Sequence, residues 1–230
     1  MNKREVMINI SKTIIIIFLP LAILLTILQY YSYNKDFYMQ KFEKYNIENI
    51  TGMSRQDLSN VTEKLISYLK GNEKDLNMEA SINGEIREVF GQREKQHMID
   101  VRDLFIKSHR LRNISLAISL ITALIIILVS KRRKKDIWQS ILFAGIVPNI
   151  FAIILYILVK IDFNKYFTYF HKIFFNNDLW LLNPKTDVLI QMLPLEFFID
   201  ISTRIIGWFL GILILMIVMA SINLKKSYID

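Results

Sequence analysis

The chain has 230 residues, of which 53% are hydrophobic and only 22% are charged. That apolar share, with a mean hydropathy of +0.31, is too high for a soluble domain and predicts a membrane protein. Cysteine is absent, which excludes disulfide scaffolds, cysteine-ligated zinc and cysteine nucleophiles.

Four apolar stretches are long enough to cross a bilayer as helices, which takes roughly 17 to 25 residues. We predict them at residues 10–31, 114–130, 137–159 and 205–222. Pro20 and Pro148 lie inside the first and third stretches, where we expect a bend in a continuous helix rather than its end.

The first stretch follows Lys3, Arg4 and Lys12, as the apolar region of a signal peptide would. It is long, however, and it passes into Gln29 and Tyr30 without a small-x-small cleavage site. We therefore expect residues 1–31 to remain attached as the first transmembrane segment.

Basic residues in the flanks of the spans predict the orientation. The N-terminal flank, the turn at 131–136 and the tail at 223–230 together hold ten Lys and Arg residues and three acidic residues, whereas the remaining chain is nearly balanced. This asymmetry predicts cytoplasmic termini and places segments 32–113 and 160–204 outside. Because the positive charge is explained by topology, no nucleic-acid partner is expected.

The first outer segment has a pattern of its own. Ser54 is a typical N-cap, and apolar residues at helical spacing follow it until Gly71. Residues 72–90 are polar, with one short strand predicted over residues 82–89. A second helix is predicted from Gln92, continuing into the second span.

The helix from Gln92 carries His97, with Glu94 and Asp100 one turn to either side. Carboxylates at this spacing are expected to orient the imidazole and to raise its pKa.

The second outer segment is rich in aromatic residues between residues 163 and 180, and His171 lies in its middle. Aromatic belts lie at the level of the lipid headgroups, so we predict an interfacial segment. Asn176, Asn177 and Asp178 follow and need polar partners or a water-filled recess.

The usual catalytic motifs are absent: there is no G-x-S-x-G elbow, no Walker loop and no H-E-x-x-H. Of the three histidines, His109 lies beside Arg110 and Arg112 and is expected to be a bystander. His97 and His171 remain candidates for general acid and base catalysis, although lone histidines at a membrane surface are commonly bystanders too. A metal site is less well supported, because no closed ligand set is visible.

Two long motifs resemble one known family. Residues 90–105, FGQREKQHMIDVRDLF, and residues 170–190, FHKIFFNNDLWLLNPKTDVLI, resemble the signature stretches of the lipoprotein intramolecular transacylases, the Lit family of low-GC Gram-positive bacteria. The likeness extends to residues 51–71 and 194–198.

This resemblance implies an enzyme that moves the sn-2 acyl chain of a diacylglyceryl lipoprotein onto the α-amino group of its N-terminal cysteine. The family's two essential histidines fall on His97 and His171. Supporting or substrate-binding roles fall on five neighbours within the same motifs, namely Arg93, Glu94, Asp100, Arg102 and Asp178. For Arg93 and Arg102, an ion pair on the helix face is an equally good interpretation. No cofactor or metal is then required.

The expected protein is thus an all-α membrane protein with four transmembrane helices, a small extracytoplasmic domain and an interfacial aromatic segment. It is expected in the cell membrane as a monomer, with its site on the extracytoplasmic side, and with a lipoprotein substrate and membrane lipid as partners. Two other functions stay open. One is a lipid hydrolase or intermolecular acyltransferase that uses the same histidines, and the other is a non-enzymatic membrane scaffold.

Overall fold

A computed structural model of the chain describes residues 2–226. In chain order, its elements are α1 (Lys3–Ser32), α2 (Lys35–Lys44), α3 (Ile47–Thr51), α4 (Arg55–Leu69), β1 (Glu79–Ile82), β2 (Glu85–Glu88), α5 (Gln92–Val129), α6 (Arg133–Ile161), α7 (Phe163–Phe174), α8 (Val188–Met192) and α9 (Leu195–Lys226). Four of them, α1, α5, α6 and α9, are long and apolar enough to cross a membrane. The prediction of a helical protein with four transmembrane helices is confirmed.

The long helices extend beyond the apolar stretches seen in the sequence. Helix α5 begins at Gln92, well before the predicted span at 114–130, as expected for a helix that continues into that span. Helices α1 and α6 continue through Pro20 and Pro148. The limits of the outer segments and the orientation remain predictions, and residues 227–230 of the predicted tail lie outside the described residues.

The chain divides into two compact units. The first, here called the helical unit, comprises Met1–Leu28, His109–Ile161 and Thr203–Asp230. The second, here called the mixed unit, comprises Gln29–Ser108 and Asp162–Ser202.

In the helical unit, polar side chains of α1 bind partners on neighbouring helices. Lys12 forms an ion pair with Asp136 at 2.5 Å and donates a hydrogen bond to Gln139 at 2.9 Å. Arg4 donates to the carbonyl oxygen of Val129. Charged groups close to the bilayer core need such partners, so these contacts stabilise the packing of α1 against α5 and α6.

Helix α6 packs through small residues, which let helix backbones approach closely in a membrane. Its buried positions are Ser140, Ala144, Gly145, Asn149 and Ala152. The closest approach is at Gly145, where an added Cβ would lie 2.6 Å from Cγ1 of Ile217 and 2.9 Å from the carbonyl oxygen of Leu213. Only glycine fits here without moving α9.

We expect Gly145→Ala to destabilise the protein by about 1 to 3 kcal/mol, because the methyl group would push α6 away from the backbone of α9. Gly207→Ala is the matched control, since nothing lies within 4 Å of the Cβ position at Gly207. Thermal unfolding of both variants in detergent micelles gives the comparison. Equal midpoints for the two variants would contradict the close contact at Gly145.

The mixed unit has a small apolar core around α4. Ser54 caps this helix by accepting a hydrogen bond from the backbone N–H of Asp57 at 3.1 Å, and the helix ends just before Gly71, as predicted. Leu58, Val61 and Leu65 of α4 are at most 1% exposed. This core supports the hairpin and the first turns of α5.

The short strand predicted within residues 82–89 is present as β2, but its pairing with β1 in a hairpin was not predicted. Strands β1 and β2 pair antiparallel, with Ile82 opposite Glu85 and Glu79 opposite Glu88. Asn83 and Gly84 form the turn with φ of 55° and 85°. Positive φ at both positions is the type I′ turn, and Asn-Gly is its preferred sequence.

Candidate active site

His97 and His171 come together in the mixed unit, although 74 positions separate them in the chain. His97 lies in the second turn of α5, and His171 lies in the last turn of α7. Their ring centroids are 6.1 Å apart, with an interplanar angle of 35°. The two side chains are 7% and 8% exposed, so the pair is shielded from bulk water.

The ring of His171 is held by its own helix. Its Nδ1 lies 2.7 Å from the carbonyl oxygen of Phe167, one turn earlier. Because a carbonyl oxygen only accepts hydrogen bonds, Nδ1 must carry the proton. In the neutral ring, Nε2 is therefore left with a lone pair that can accept a proton.

Aromatic rings surround His171. Trp180 stacks on it at 4.7 Å with an interplanar angle of 27°, and Phe167 contacts it edge-on at 4.5 Å. Phe175 lies 5.6 Å from His171 and 5.3 Å from His97, so it contacts both rings. These neighbours fix the imidazole in orientation and exclude water from it.

His97 has a different environment, because its Nδ1 is buried without a hydrogen-bond partner among residues 2–226. A buried nitrogen without a partner is unusual in a folded protein.

Both histidines favour the neutral form. Burial lowers the pKa of His97 to about 4, with a further contribution from the nearby His171, while Asp100 acts in the opposite direction. Burial also lowers the pKa of His171, although its hydrogen bond to Phe167 opposes this. The expectation that carboxylates would raise the pKa of His97 is wrong, because the loss of hydration outweighs the charge of Asp100.

This shift predicts a titration that NMR of labelled histidines in micelles can follow, with His97→Gln identifying the signal. We expect the His97 ring to stay neutral down to about pH 4. Since its pKa in the folded protein lies below its ordinary value of about 6.5, its contribution to stability is complete above pH 6.5 and decreases as the pH falls toward 4. A midpoint at or above 6.5 would contradict the buried environment.

Glu94 is buried, and its hydrogen bonds go to main-chain groups rather than to an imidazole. Its two carboxylate oxygens accept hydrogen bonds from the backbone N–H groups of Gly91 and Leu189, each at 2.6 Å. Burial raises the pKa of Glu94, and these two bonds partly oppose the increase. Glu94 therefore joins the start of α5, one turn before His97, to the segment that contains α8.

Arg93 and Asp100 contact the loop that follows α7. Arg93 donates to the carbonyl oxygen of Asp178, and Asp100 accepts from the side-chain amide of Asn177 at 2.9 Å. Asp178 thus takes part through its main chain, and its side chain is exposed. Because this loop connects His171 with Trp180, the two contacts hold the α7 end of the site against α5.

Arg102 makes contacts of a structural kind. Its guanidinium lies over the ring of Tyr68 at 4.7 Å, and it donates to the carbonyl oxygen of Lys74 at 3.1 Å. It also lies 3.8 Å from the carboxylate of Asp103. These contacts favour the ion-pair interpretation of Arg102, and its role toward substrate stays a prediction.

Sequence reasoning missed the site roles of Phe167, Phe175, Asn177 and Trp180. Phe167 and Phe175 lie four positions before and after His171, a spacing that suits contacts along a helix face and its continuation. His109 contacts Arg112 at 3.3 Å and is exposed, in keeping with a bystander. Within the described residues, no three His, Asp or Glu side chains are grouped as metal ligands would be.

Comparison with known proteins identifies relatives of the chain. The family described as lipoprotein intramolecular transacylase Lit matches residues 13–198. The fold is similar to a structure of the membrane-integral lipoprotein intramolecular transacylase Lit from Bacillus cereus, with a TM-score of 0.84 and 23% identity over 97% of this chain and 99% of that chain.

Two further structures of the Bacillus cereus protein, each with one histidine replaced, by arginine or by alanine, have TM-scores of 0.78 at 23% identity. They align over 97% of this chain and over 94% and 96% of theirs. No curated protein sequence matches the chain. The structural likeness supports the four-span membrane fold, and the family match covers most of the chain. The chain therefore belongs to the Lit family of lipoprotein intramolecular transacylases and is a multi-pass membrane acyltransferase.

Proposed function

We propose that the protein moves the sn-2 acyl chain of a diacylglyceryl lipoprotein to the α-amino group of the same molecule's N-terminal cysteine, with His97 and His171 as the catalytic residues. The observation that carries the proposal is the pair of buried imidazoles with centroids 6.1 Å apart. Such a pair is able to serve two proton transfers in one substrate molecule.

The nucleophile is the substrate's own amine. Its nitrogen attacks the carbonyl carbon of the sn-2 ester, the new C–N bond forms, and the bond to the glycerol oxygen breaks. The proton lost from nitrogen goes to one imidazole, and the glycerol alkoxide takes a proton from the other. The first imidazole then returns its proton to the second, so that both rings are neutral again. Holding amine and ester in one site makes the reaction effectively unimolecular, which removes much of the entropic barrier.

The geometry supports His171 as the base. Its Nδ1 is occupied by the bond to Phe167, so Nε2 is the atom that accepts the proton of the amine. The face of Trp180 then lies against the imidazolium, which an aromatic ring stabilises. His97 is the proton donor to the leaving oxygen, through Nε2–H of its neutral ring.

Mass spectrometry of a purified diacyl lipopeptide incubated with the protein tests this function. We expect a product of unchanged mass in which the acyl chain is bound to nitrogen. Loss of a fatty acid would instead indicate a lipid hydrolase, and transfer between isotopically distinct lipopeptides would indicate an intermolecular acyltransferase.

We further propose that the site lies on the extracytoplasmic side of the cell membrane, supported by the excess of basic residues in the terminal flanks and the turn 131–136. Because the chain has no cysteine, single introduced cysteines report topology without background. We expect a membrane-impermeant maleimide to label Asn72→Cys in intact cells and Lys134→Cys only after permeabilisation; both positions are exposed. The opposite labelling pattern would show that the protein has the reverse orientation in the membrane.

A further inference from the structure

The outer edge of β2 is unpaired, and its geometry can be read from the hairpin. Val89 donates from its backbone N–H to the carbonyl oxygen of Met78 at 3.0 Å, so these two residues form a hydrogen-bonded pair. In an antiparallel ladder, such pairs alternate with non-hydrogen-bonded ones. With Glu79 opposite Glu88 and Ser81 opposite Ile86, the N–H and C=O groups of Glu88 and Ile86 must point away from β1.

No main-chain group covers this edge within the described part of the chain, although the side chain of Lys95 forms an ion pair with Glu88. All four residues of β2 are exposed, and no backbone hydrogen bond reaches Ile86 or Glu88 from outside the hairpin. The opposite edge of the hairpin differs, because Met53 bridges to Ile82 and Asn83 donates to the carbonyl oxygen of Gly52 at 2.9 Å. The hairpin is therefore closed on one side and open on the other.

The side chain of Ile86 adds an apolar contact to the open edge. It is 78% exposed, the highest value of any large hydrophobic residue in the part of the chain that the structure describes. Exposed apolar residues on unpaired strands are otherwise avoided, because they invite pairing with another chain. A strand with free main-chain groups and one apolar side chain fits an added extended peptide.

Charge argues against a second copy of this protein as the added strand. β2 carries Glu85 and Glu88 with Arg87, and Glu79 lies opposite Glu88. Two such edges paired antiparallel would place Arg87 opposite Arg87 or Glu88 opposite Glu88 in every register of their outward groups except the one with Ile86 opposite Ile86, and such like-charge pairs are unfavourable. An extended polypeptide of different sequence avoids this repulsion.

The open edge lies close to the candidate active site along the chain. Glu88 precedes Gln92, the first residue of α5, by four positions, which is at most about 14 Å of extended chain. His97 follows five positions later on the helix, about 8 Å further. An extended peptide starting near His97 thus reaches the edge of β2 within about seven residues, at about 3.3 Å for each.

We propose that β2 binds the polypeptide of the substrate, within about the first ten residues after its lipidated cysteine, as an added β-strand. This inference rests on the proposed function for the identity of the partner. Recognition is through main-chain groups, so it is independent of the substrate's side-chain sequence. The acyl chains and amine occupy the histidine site, and the peptide holds the lipoprotein in position.

Two diacylglyceryl lipopeptides with the same acyl chains test the proposal, one with three residues and one with fifteen. We expect KM of the longer substrate to be lower by about tenfold, as two or so net hydrogen bonds would give. N-methylation of alternate amides in its residues 5–12 is expected to abolish that advantage, because the methyl groups block strand pairing on the wild-type protein.

Ile86→Pro is the matching change in the enzyme. Proline removes only the outward N–H of Ile86, so the bonds between β1 and β2 remain, and proline is tolerated at such edge positions. We expect Ile86→Pro to bring the KM ratio of the two substrates close to one. Ile86→Thr keeps the N–H and favours strands, so it is expected to retain most of the difference in KM between the two substrates. Thermal unfolding of both variants checks that the hairpin is intact.

Three results would overturn the proposal: equal KM for the two peptides in the wild type, a ratio insensitive to N-methylation, or a ratio unchanged by Ile86→Pro. An equal increase in KM for both peptides in Ile86→Thr would also overturn the proposal, since it would indicate that Ile86 contacts the lipid. N-acetylated versions of the same lipopeptides cannot react, and their Kd ratio measures the edge directly. If the N-acetylated lipopeptides bind with this Kd ratio but the lipopeptides with a free amine are not converted, the proposed function alone is contradicted.

Discussion

His97→Ala and His171→Ala are each expected to lower the rate of acyl transfer by at least about a hundredfold, because each variant removes one of the two proton transfers. The rings lie 6.1 Å apart and act on one substrate, so the double variant should be hardly worse than either single variant. The measurement is single-turnover conversion of a diacyl lipopeptide, with the product identified by mass spectrometry.

His109→Ala is the matched control for this experiment, since His109 is exposed and contacts Arg112 rather than the histidine pair. It is expected to keep wild-type activity. Wild-type rates in His97→Ala or His171→Ala, at normal protein levels, would contradict the catalytic role of the replaced histidine. A variant that no longer folds is recognised by its thermal unfolding, and His97→Gln and His171→Gln, of similar polarity, then replace the alanine variants.

Glu94→Ala is expected to destabilise the protein by about 3 kcal/mol and to reduce activity in parallel. The substitution leaves the N–H groups of Gly91 and Leu189, each bound at 2.6 Å in the wild type, without their charged acceptor in a buried position. Gly91 accepts the first helical bond of α5 from Lys95, so its link to Glu94 is half of a capping box. Without it, the turn that carries His97 is no longer held.

Glu94→Gln separates shape from charge. The amide keeps the volume and one acceptor oxygen, but its NH₂ group faces one of the two donors, so we expect roughly half of the loss in stability. Thermal unfolding and single-turnover rates on the same preparations provide the comparison. If Glu94→Gln lost activity while keeping wild-type stability, the carboxylate would have to contact the reacting groups, and its role in positioning would be disproved.

The main features of the fold could be predicted from the sequence because they depend on local composition. Apolar runs long enough to span the bilayer identified α1, α5, α6 and α9, and the cap at Ser54 identified the start of α4. The hairpin was missed as a hairpin because its apolar residues are few, although Asn83-Gly84 is a turn signal readable from sequence alone.

The sequence suggested members of the candidate site, but it could not predict their contacts. His97 and His171 were identified by spacing and by family resemblance, which carry no information on burial. The pKa of His97 therefore could not be predicted with the right sign, because the loss of hydration arises from residues distant in sequence, such as Phe175. In the same way, the partner of Glu94 at Leu189 lies 95 positions away.

The hydrogen bond from His171 to Phe167 has a consequence for the enzyme's resting state. Its acceptor is a main-chain atom of the same helix, so the tautomer is selected locally, before any substrate arrives. The ring proton of His171 does not have to move from one nitrogen to the other before turnover. Side-chain replacement at position 167 alters ring packing but leaves the acceptor in place, so the tautomer that the proposed mechanism requires is retained in such variants.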